Sequence, residues 1–103
     1  MEPREIYRSL IRLHVLIEAA RRPLDSAGVS TKLQDCGLKL GVASVRQILR
    51  RFAAAGYLAS TPARNSRHRK VYIITATGRK QARDAKKRVG QLIETLGPKE
   101  LRP

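Results

Sequence analysis

One amphipathic segment restricts the possible folds of this chain more than any other. Residues 41–56 read GVASVRQILRRFAAAG. If the segment is helical, the spacing i, i+3, i+4 and i+7 forms one apolar stripe from Val45, Ile48, Leu49 and Phe52. The opposite side has small, polar and basic residues and no acidic one: Ala43, Ser44, Arg46, Gln47, Arg50 and Arg51. The segment therefore predicts a helix with one face in a core and a basic face outside it.

That basic face matches the chemistry of the major groove of DNA. Arginine pairs well with guanine edges and glutamine with adenine edges, and small residues at the front of a helix let it approach the bases. We therefore predict a recognition helix whose DNA contacts come from Ala43, Ser44, Arg46, Gln47, Arg50 and Arg51. An ordinary amphipathic surface helix has the same two faces, so the segment alone leaves both interpretations open.

The distribution of charge favours a nucleic-acid partner. The chain has 22 Lys and Arg against 8 Asp and Glu, which gives a formal net charge of +14. No acidic residue occurs between Asp35 and Asp84, a block that includes the proposed recognition helix. A surface that only needs to be soluble mixes both signs of charge, whereas nucleic acid is a common partner of a uniformly basic surface. The apolar fraction of 42% is sufficient for a folded core.

Two further helices are predicted before this one, and the second of them completes a helix-turn-helix. Residues 3–22 predict a helix that should end before Pro23, since proline disfavours helical geometry in the preceding residue. Residues 24–36 predict a second helix with Val29, Leu33 and Cys36 on its inner face and Asp25 or Ser26 as N-cap. A later start at Thr31, with Gln34 completing a capping box, remains an alternative. Gly37 should end this helix before a short turn into the third.

A β-hairpin is predicted after the third helix. Residues 57–61 and 71–75 are β-prone, and Pro62 should end the first run. Residues 63–70 between them form a basic tip. After a helix-turn-helix such a hairpin is a wing, and its arginines can reach the minor groove or a flanking phosphate. The predicted wing contacts are Arg64, Asn65, Ser66, Arg67, His68, Arg69 and Lys70.

Apolar faces on the terminal helices predict a homodimer. The first helix is apolar over more than one face, which favours two packing partners, the domain core and a second subunit. The last helix, residues 76–96, has apolar residues at alternating spacings of three and four, the pattern of two helices that pack on each other. The expected dimer contacts are Ile6, Leu10, Leu13, Ile17, Ala82, Ala85, Val89, Leu92 and Leu96.

Several functional classes do not fit the sequence. One cysteine and two separated histidines do not supply a metal site, and no phosphate-binding glycine loop or nucleophile motif is present, so we expect neither an enzyme nor a cofactor. No apolar stretch is long enough to cross a membrane. The first ten residues lack the apolar block of a signal peptide, and the single Cys36 fits a reducing compartment. We therefore expect a cytoplasmic protein.

Residues 24–79 resemble the PadR-like winged-helix transcriptional regulators and, more loosely, the MarR group. Three pieces carry the resemblance: residues 45–52, VRQILRRF, in the recognition helix; residues 56–58, GYL, at the start of the wing; and residues 72–79, YIITATGR, at its end. The chain departs from the family pattern at Arg46, where a tyrosine is usual, and at Gly41, where a serine or threonine is usual. The resemblance implies a homodimer that binds a pseudo-palindromic operator and dimerises through its C-terminal helix.

Together these features predict one winged helix-turn-helix domain over residues 1–103, of the α+β class and mostly α, with a two-stranded wing and a long C-terminal dimerisation helix. The expected function is sequence-specific binding of double-stranded DNA by a homodimeric transcriptional regulator, most simply a repressor. Two alternatives stay open: an architectural or plasmid-partition DNA-binding protein with low sequence preference, and an RNA-binding winged-helix protein. The sequence does not identify an effector.

Overall fold

Four helices and a two-stranded antiparallel sheet make up the part of the chain that the structure describes. The computed structural model describes residues 3–63 and 66–96; of these, residues 3–6, 63, 66–68 and 96 are described by their backbone only. The elements in chain order are α1 (Pro3–Ala19), α2 (Ser26–Asp35), α3 (Val42–Ala54), β1 (Leu58–Ala63), β2 (Ser66–Ile74) and α4 (Ala76–Leu96).

Helix α1 buries one of its two apolar faces. It ends at Ala19, three residues before the predicted end at Arg22, and the chain then continues through a turn. The buried face consists of Ile11, Val15, Leu16 and Ala19. The other apolar face is not fully buried in this core: Leu10 is 51% exposed, and Leu13 and Ile17 are half-buried. The helix thus has apolar surface left over after the core of the chain is formed.

Helix α2 begins at the earlier of the two predicted starts. The side chain of Asp25 caps it by accepting a hydrogen bond of 2.6 Å from the backbone N–H of Gly28. The later start at Thr31 is wrong, because the Thr31 hydroxyl donates to the carbonyl oxygen of Ala27 within the same helix. Val29 and Leu33 are buried as predicted, but Cys36 is exposed since the helix has already ended at Asp35.

Glycines end α2 and α3 in the same way. Gly37 and Gly56 have φ of +81° and +86°, a backbone conformation that side chains other than glycine rarely adopt. In each case the residue after the glycine donates back into the last helical turn, from Leu38 to Leu33 O and from Tyr57 to Phe52 O, both at 2.9 Å. These two glycines therefore turn the chain sharply out of both helices of the helix-turn-helix.

The wing is longer than the sequence predicts. Strand β1 continues through Pro62 to Ala63, and β2 begins at Ser66 rather than at Val71. Pro62 is tolerated because β1 lies at the edge of the sheet, and the register shifts next to it, between Pro62 and Ala63. Residues 66–70 are thus part of a strand, and the predicted basic tip of residues 63–70 is wrong in extent.

A third chain segment pairs with the wing from its other side. Leu24 and Tyr72 exchange both backbone hydrogen bonds, at 2.8 and 2.9 Å, in an isolated antiparallel bridge. This pairing places the start of α2 directly beside β2. Every element contributes to the core that forms beneath it, and its most completely buried side chains are Val15, Leu33, Val45 and Leu49.

Helix α4 is anchored to the end of α3 by Thr75. The Thr75 hydroxyl accepts a hydrogen bond from the N–H of Gly78 at 3.0 Å and lies 2.7 Å from the carbonyl oxygen of Gly56, to which it donates. The Thr75 N–H donates to Tyr57 O at 3.0 Å. Farther along the helix, the guanidinium of Arg79 donates to Ala20 O at the end of α1. The wing therefore leads into α4 at a position held by the residues that directly follow α3.

Candidate nucleic-acid interface

The outer face of α3 is exposed to solvent. All six residues predicted to contact DNA are exposed: Ala43, Ser44, Arg46, Gln47, Arg50 and Arg51. The opposite face is held firmly, since Val45 and Leu49 are fully buried and Ile48 and Phe52 pack against the core. At about 100° per residue, Gln47 and Arg50 point most directly away from that core, and Arg46 and Arg51 lie on the two flanks. The outer face of α3 therefore has Gln47 and Arg50 along its middle and one further arginine on each flank.

The turn before α3 is held by a buried hydroxyl. Ser30, 4% exposed on α2, donates a hydrogen bond of 2.7 Å to the carbonyl oxygen of Leu40. A buried carbonyl without a partner is costly, so this bond stabilises one path of the turn from α2 into α3. Gly41 then caps α3 with its backbone alone. Together these contacts set the angle at which the outer face of α3 is presented.

A cleft of about 290 Å³ separates α3 from the wing, and four of its five charged lining residues are basic. Arg46 and Arg50 approach it from α3, and Arg69 and Lys70 approach it from β2. Asp25, the N-cap of α2, is the acidic residue among its lining. This wing-side cleft is lined by Asp25, Ser26, Ala27, Val42, Arg46, Arg50, Arg69, Lys70 and Tyr72. The structure thus brings two of the predicted helix contacts together with two of the predicted wing contacts.

The structure describes only some of the predicted wing contacts. Arg64 and Asn65 lie outside the described residues. Ser66, Arg67 and His68 are in β2, where the structure describes the backbone only. Arg69 and Lys70 are exposed on that strand, and Lys70 is paired with Pro62 of β1. The two described basic side chains of the wing are therefore carried by a hydrogen-bonded strand.

A second cleft lies on the other side of α3 and includes residues that the sequence reasoning missed. Its volume is about 230 Å³, and it separates α3 from α1. Ser44, Gln47 and Arg51 approach it from α3, whereas Arg8 and Arg12 approach it from α1. This α1-side cleft is lined by Arg8, Ile11, Arg12, Leu40, Ser44, Gln47, Ile48 and Arg51. The repeat of arginine at positions 4, 8 and 12 is a one-face helical pattern that could have revealed this basic face of α1.

The predicted dimer contacts fall into four groups. Leu10 and Leu92 are exposed, whereas Leu13, Ile17, Ala85 and Val89 are half-buried. Ala82 is only 4% exposed because it packs in the core of its own chain, so it has almost no surface for a partner. The side chains of Ile6 and Leu96 lie outside the described part of the structure.

Glu18 is a buried charge that the sequence reasoning did not single out. Its carboxylate lies 2.7 Å from the Lys32 ammonium on α2 and 2.9 Å from Nε of Arg22. The hydrogen bond from Lys32 lowers the pKa of Glu18 below its ordinary value of 4.5; burial acts in the opposite direction, and the charges of Lys32, Arg22 and Arg21 lower it further. The ionised carboxylate therefore links α1 to α2 and pairs with two cations that line neither cleft.

Two other kinds of site are absent from the described residues. Within residues 3–63 and 66–96, no three His, Cys, Asp or Glu side chains are grouped so that they could hold a metal ion. In the same part of the chain, no helix has the length and apolar character needed to cross a membrane.

Comparison with known proteins supports the architecture. The family model described as "Transcriptional regulator PadR-like family" matches residues 13–84, more than half of the chain. A PadR-family transcriptional regulator from Eggerthella lenta has a similar structure, with 23% identity, a TM-score of 0.77 and coverage of 96% of this chain and 88% of that one. A transcriptional regulator from Clostridium thermocellum is 16% identical, with a TM-score of 0.76 and coverage of 99% and 100%.

A protein from Thermoplasma acidophilum is 26% identical and has a TM-score of 0.69, with coverage of 89% of this chain and 94% of that one. Comparison with curated proteins finds no significant match. The structural similarities confirm the predicted fold, which is a mostly helical winged helix-turn-helix with a two-stranded wing.

Proposed function

Because the chain belongs to the PadR-like family of transcriptional regulators, and is therefore a DNA-binding regulator rather than an enzyme, we propose that it is a sequence-specific homodimeric repressor. In this proposal α3 enters the major groove of an operator and the wing contacts the adjacent backbone. Bound protein would block access of the transcription machinery to a promoter.

The wing-side cleft is the observation that carries this proposal. Four cationic side chains from two separate elements, Arg46 and Arg50 on α3 and Arg69 and Lys70 on β2, line one cleft of about 290 Å³. None of the four is in an ion pair with a described carboxylate, since the ion pairs found among the described side chains both involve Glu18. Cations that are not neutralised within the chain are available to DNA phosphates, which supply most of the affinity for DNA.

Base reading is assigned to Arg46, Gln47 and Arg50. Gln47 and Arg50 point away from the core, so they would lie deepest in a groove that α3 enters, with Arg46 beside them on the wing side. Arginine and glutamine form bidentate hydrogen bonds with guanine and adenine, respectively. Ser44 and Arg51 lie on the other flank and would contact the backbone, as would the wing residues Arg64, Arg67, Arg69 and Lys70.

The homodimer is proposed on the basis of apolar surface left exposed by the single chain. On α4, Leu92 is 58% exposed and Ile93 46%, and on α1 Leu10 is 51% exposed. Large exposed apolar side chains that form one patch are typical of interfaces, and the proposal places these three in one patch. The proposed interface combines the outer face of α1 with the second half of α4 and omits Ala82, which is buried in its own chain. Two-fold symmetry would then match a pseudo-palindromic operator.

The dimer can be tested by charge introduction. Leu92→Glu should shift the mass measured by multi-angle light scattering from two chains to one, whereas Arg83→Glu, on an exposed position of the same helix, should leave a dimer. A wild-type protein that is monomeric at micromolar concentration would refute this part of the proposal.

Sequence-specific binding is tested by selecting bound fragments from a random duplex library at moderate salt. We expect a palindromic motif with half-sites about 10 base pairs apart, or a multiple of that spacing. Arg46→Ala should relax the preference at one position of each half-site, by about 1–3 kcal/mol of discrimination, whereas Arg83→Ala should leave the motif unchanged.

Two outcomes would favour other functions. Recovery of no motif, with random duplex competing as well as promoter DNA, would favour an architectural or plasmid-partition protein, which the net charge of +14 also suits. Preferential binding to RNA over the same sequence in DNA would favour the RNA-binding alternative.

We further propose that residues 1–103 form one winged-helix domain, because the buried core includes side chains from α1, α2, α3, both strands and α4. We also propose a cytoplasmic location, where the exposed thiol of Cys36 would stay reduced.

A further inference from the structure

The α1-side cleft is basic on both of its walls. Arg51 contributes from α3, and Arg8 and Arg12 contribute from α1. All three side chains are exposed, and none forms an ion pair with a carboxylate among the described side chains. No acidic residue lines this cleft, in contrast to the wing-side cleft, where Asp25 is present. Charge of a single sign in a concave site attracts an anion.

A polar side chain beside these arginines also suits a phosphate. Ser44 lines the cleft from the flank of α3 that faces α1. A hydroxyl donates a hydrogen bond to a phosphate oxygen, and a guanidinium can bind two oxygens of one phosphate at once. The cleft therefore offers hydroxyl and guanidinium donors around one space.

The position of the cleft relative to α3 identifies the source of the phosphate. A helix in the major groove lies between two phosphate backbones, one along each of its flanks. The flank with Arg46 faces the wing and its cations. The flank with Ser44 and Arg51 faces away from the wing, and the cations on that side come from α1.

We propose that Arg8 and Arg12 of α1, together with Arg51 of α3, bind a backbone phosphate of the DNA strand opposite the one contacted by the wing. Resting on the proposed DNA-binding function, this site would make α1 a second DNA-contacting wall. The recognition helix would then be held in the groove from both sides, which restricts its rotation about its own axis and positions Gln47 and Arg50 against the bases.

The test compares two pairs of substitutions that remove the same charge. Arg8→Ala/Arg12→Ala removes two exposed cations spaced four residues apart on α1. Arg83→Ala/Lys87→Ala removes two exposed cations with the same spacing on α4, and neither residue lines either cleft. The dissociation constant for the duplex selected by the wild-type protein, and for a random duplex, is measured by fluorescence anisotropy between about 0.05 and 0.3 M salt.

We expect the α1 pair to change both affinity and salt dependence. Loss of one phosphate contact per protomer should make the slope of log affinity against log salt shallower by about 1.8 per dimer, with binding on the order of 10- to 100-fold weaker near 0.1 M salt. The ratio of the two dissociation constants should stay near that of the wild type, since phosphate contacts carry no sequence information. The α4 pair should keep the wild-type slope.

A conservative pair separates charge from packing. Arg8→Lys/Arg12→Lys retains both charges and should recover most of the wild-type slope, whereas Arg8→Gln/Arg12→Gln retains length without charge and should behave like the alanine pair. Thermal unfolding of each variant verifies that it is folded at the assay temperature, and the glutamine pair replaces the alanine pair if the latter is unfolded.

Two results would overturn the proposal. One is an unchanged slope in the folded alanine or glutamine pair, and the other is an equal loss of slope in the α4 pair, which would show a general charge effect. Neither result affects the proposed function so long as the wild type binds the selected duplex with a steep slope. A wild-type protein without affinity for DNA at low salt would instead refute the function on which this site depends.

Discussion

At Gly78 the addition of a single methyl group, in Gly78→Ala, should destabilise the fold. Gly78 is buried in the first turn of α4, against the end of α3. A Cβ at this position would lie 2.1 Å from the carbonyl oxygen of Tyr57 and 2.8 Å from Cγ1 of Ile74. Real Cβ contacts are essentially never shorter than 3.0 Å, so in Gly78→Ala the backbone of α4 must move by about 1 Å away from Tyr57.

The cost follows from what this movement would disturb. Overpacking against backbone destabilises by about 1–3 kcal/mol, and Tyr57 O also accepts the hydrogen bond from the N–H of Thr75, which a shift of α4 would lengthen. The higher helix propensity of alanine offsets about 0.5–1 kcal/mol. We therefore expect a net loss of about 1–2 kcal/mol, which corresponds to a fall in Tm of about 4–16 °C for a domain of this size.

Gly90 in the same helix provides the matched control. It is exposed, and a Cβ there would have no atom within 4 Å. Gly90→Ala should therefore stabilise the protein by about 0.5–1 kcal/mol through helix propensity alone. Both variants and the wild type are unfolded by heat and by urea at one protein concentration. Equal stability of Gly78→Ala and wild type, or a parallel rise of both variants, would refute the close approach of α4 to Tyr57.

Three further predictions concern charged and buried polar groups. Glu18→Gln should lower the free energy of unfolding by about 1–2 kcal/mol at pH 7. Because the pKa of Glu18 is lowered in the folded state, this contribution is fully present above pH 4.5 and is lost as the pH falls below it, so wild type and variant should converge in urea titrations under acidic conditions. Asp25→Asn should keep the cap of α2 and leave the free energy of unfolding within about 0.5 kcal/mol of the wild-type value. The same substitution should tighten DNA binding several-fold at low salt, because it removes the carboxylate from the wing-side cleft. Unchanged affinity would mean that DNA does not approach this cleft. Ser30→Ala should destabilise by about 1–3 kcal/mol because it leaves Leu40 O without its hydroxyl donor, whereas Thr31→Ala, at an exposed hydroxyl of the same helix, should change stability by less than about 0.5 kcal/mol.

The helices of the helix-turn-helix could be predicted because their signals are local. Val45 and Leu49, four residues apart, both lie in the core, as the apolar stripe of α3 predicts. Gly37 and Gly56 end their helices because they alone among the neighbouring residues adopt positive φ without strain. Periodicity and turn chemistry act within a few residues, so they can be read without knowledge of the rest of the chain.

The wing could be predicted in kind but not in extent. Residues 66–70 are polar and basic, which is typical of a loop, and yet they belong to a strand because β1 pairs with Ser66 and Lys70 at the two ends of this run. The bridge between Leu24 and Tyr72 leaves no local signal either, since it joins residues 48 positions apart. Strand pairing depends on the partner as much as on the side chains of the strand itself.

The sequence alone was enough to show a basic, acid-free helix with a buried stripe, since charge and apolar spacing are properties of the chain in one dimension. It did not show that Arg46 and Arg50 share a cleft with Arg69 and Lys70, or that Arg8 and Arg12 face the other flank of α3. These groupings arise when α1, α3 and β2 pack around a common core, because side chains far apart in the chain are then held within one site. The choice between the two apolar faces of α1 has the same origin. Both faces have helical spacing, but packing against α4, β2 and the shared core buries only the face with Ile11, Val15 and Leu16.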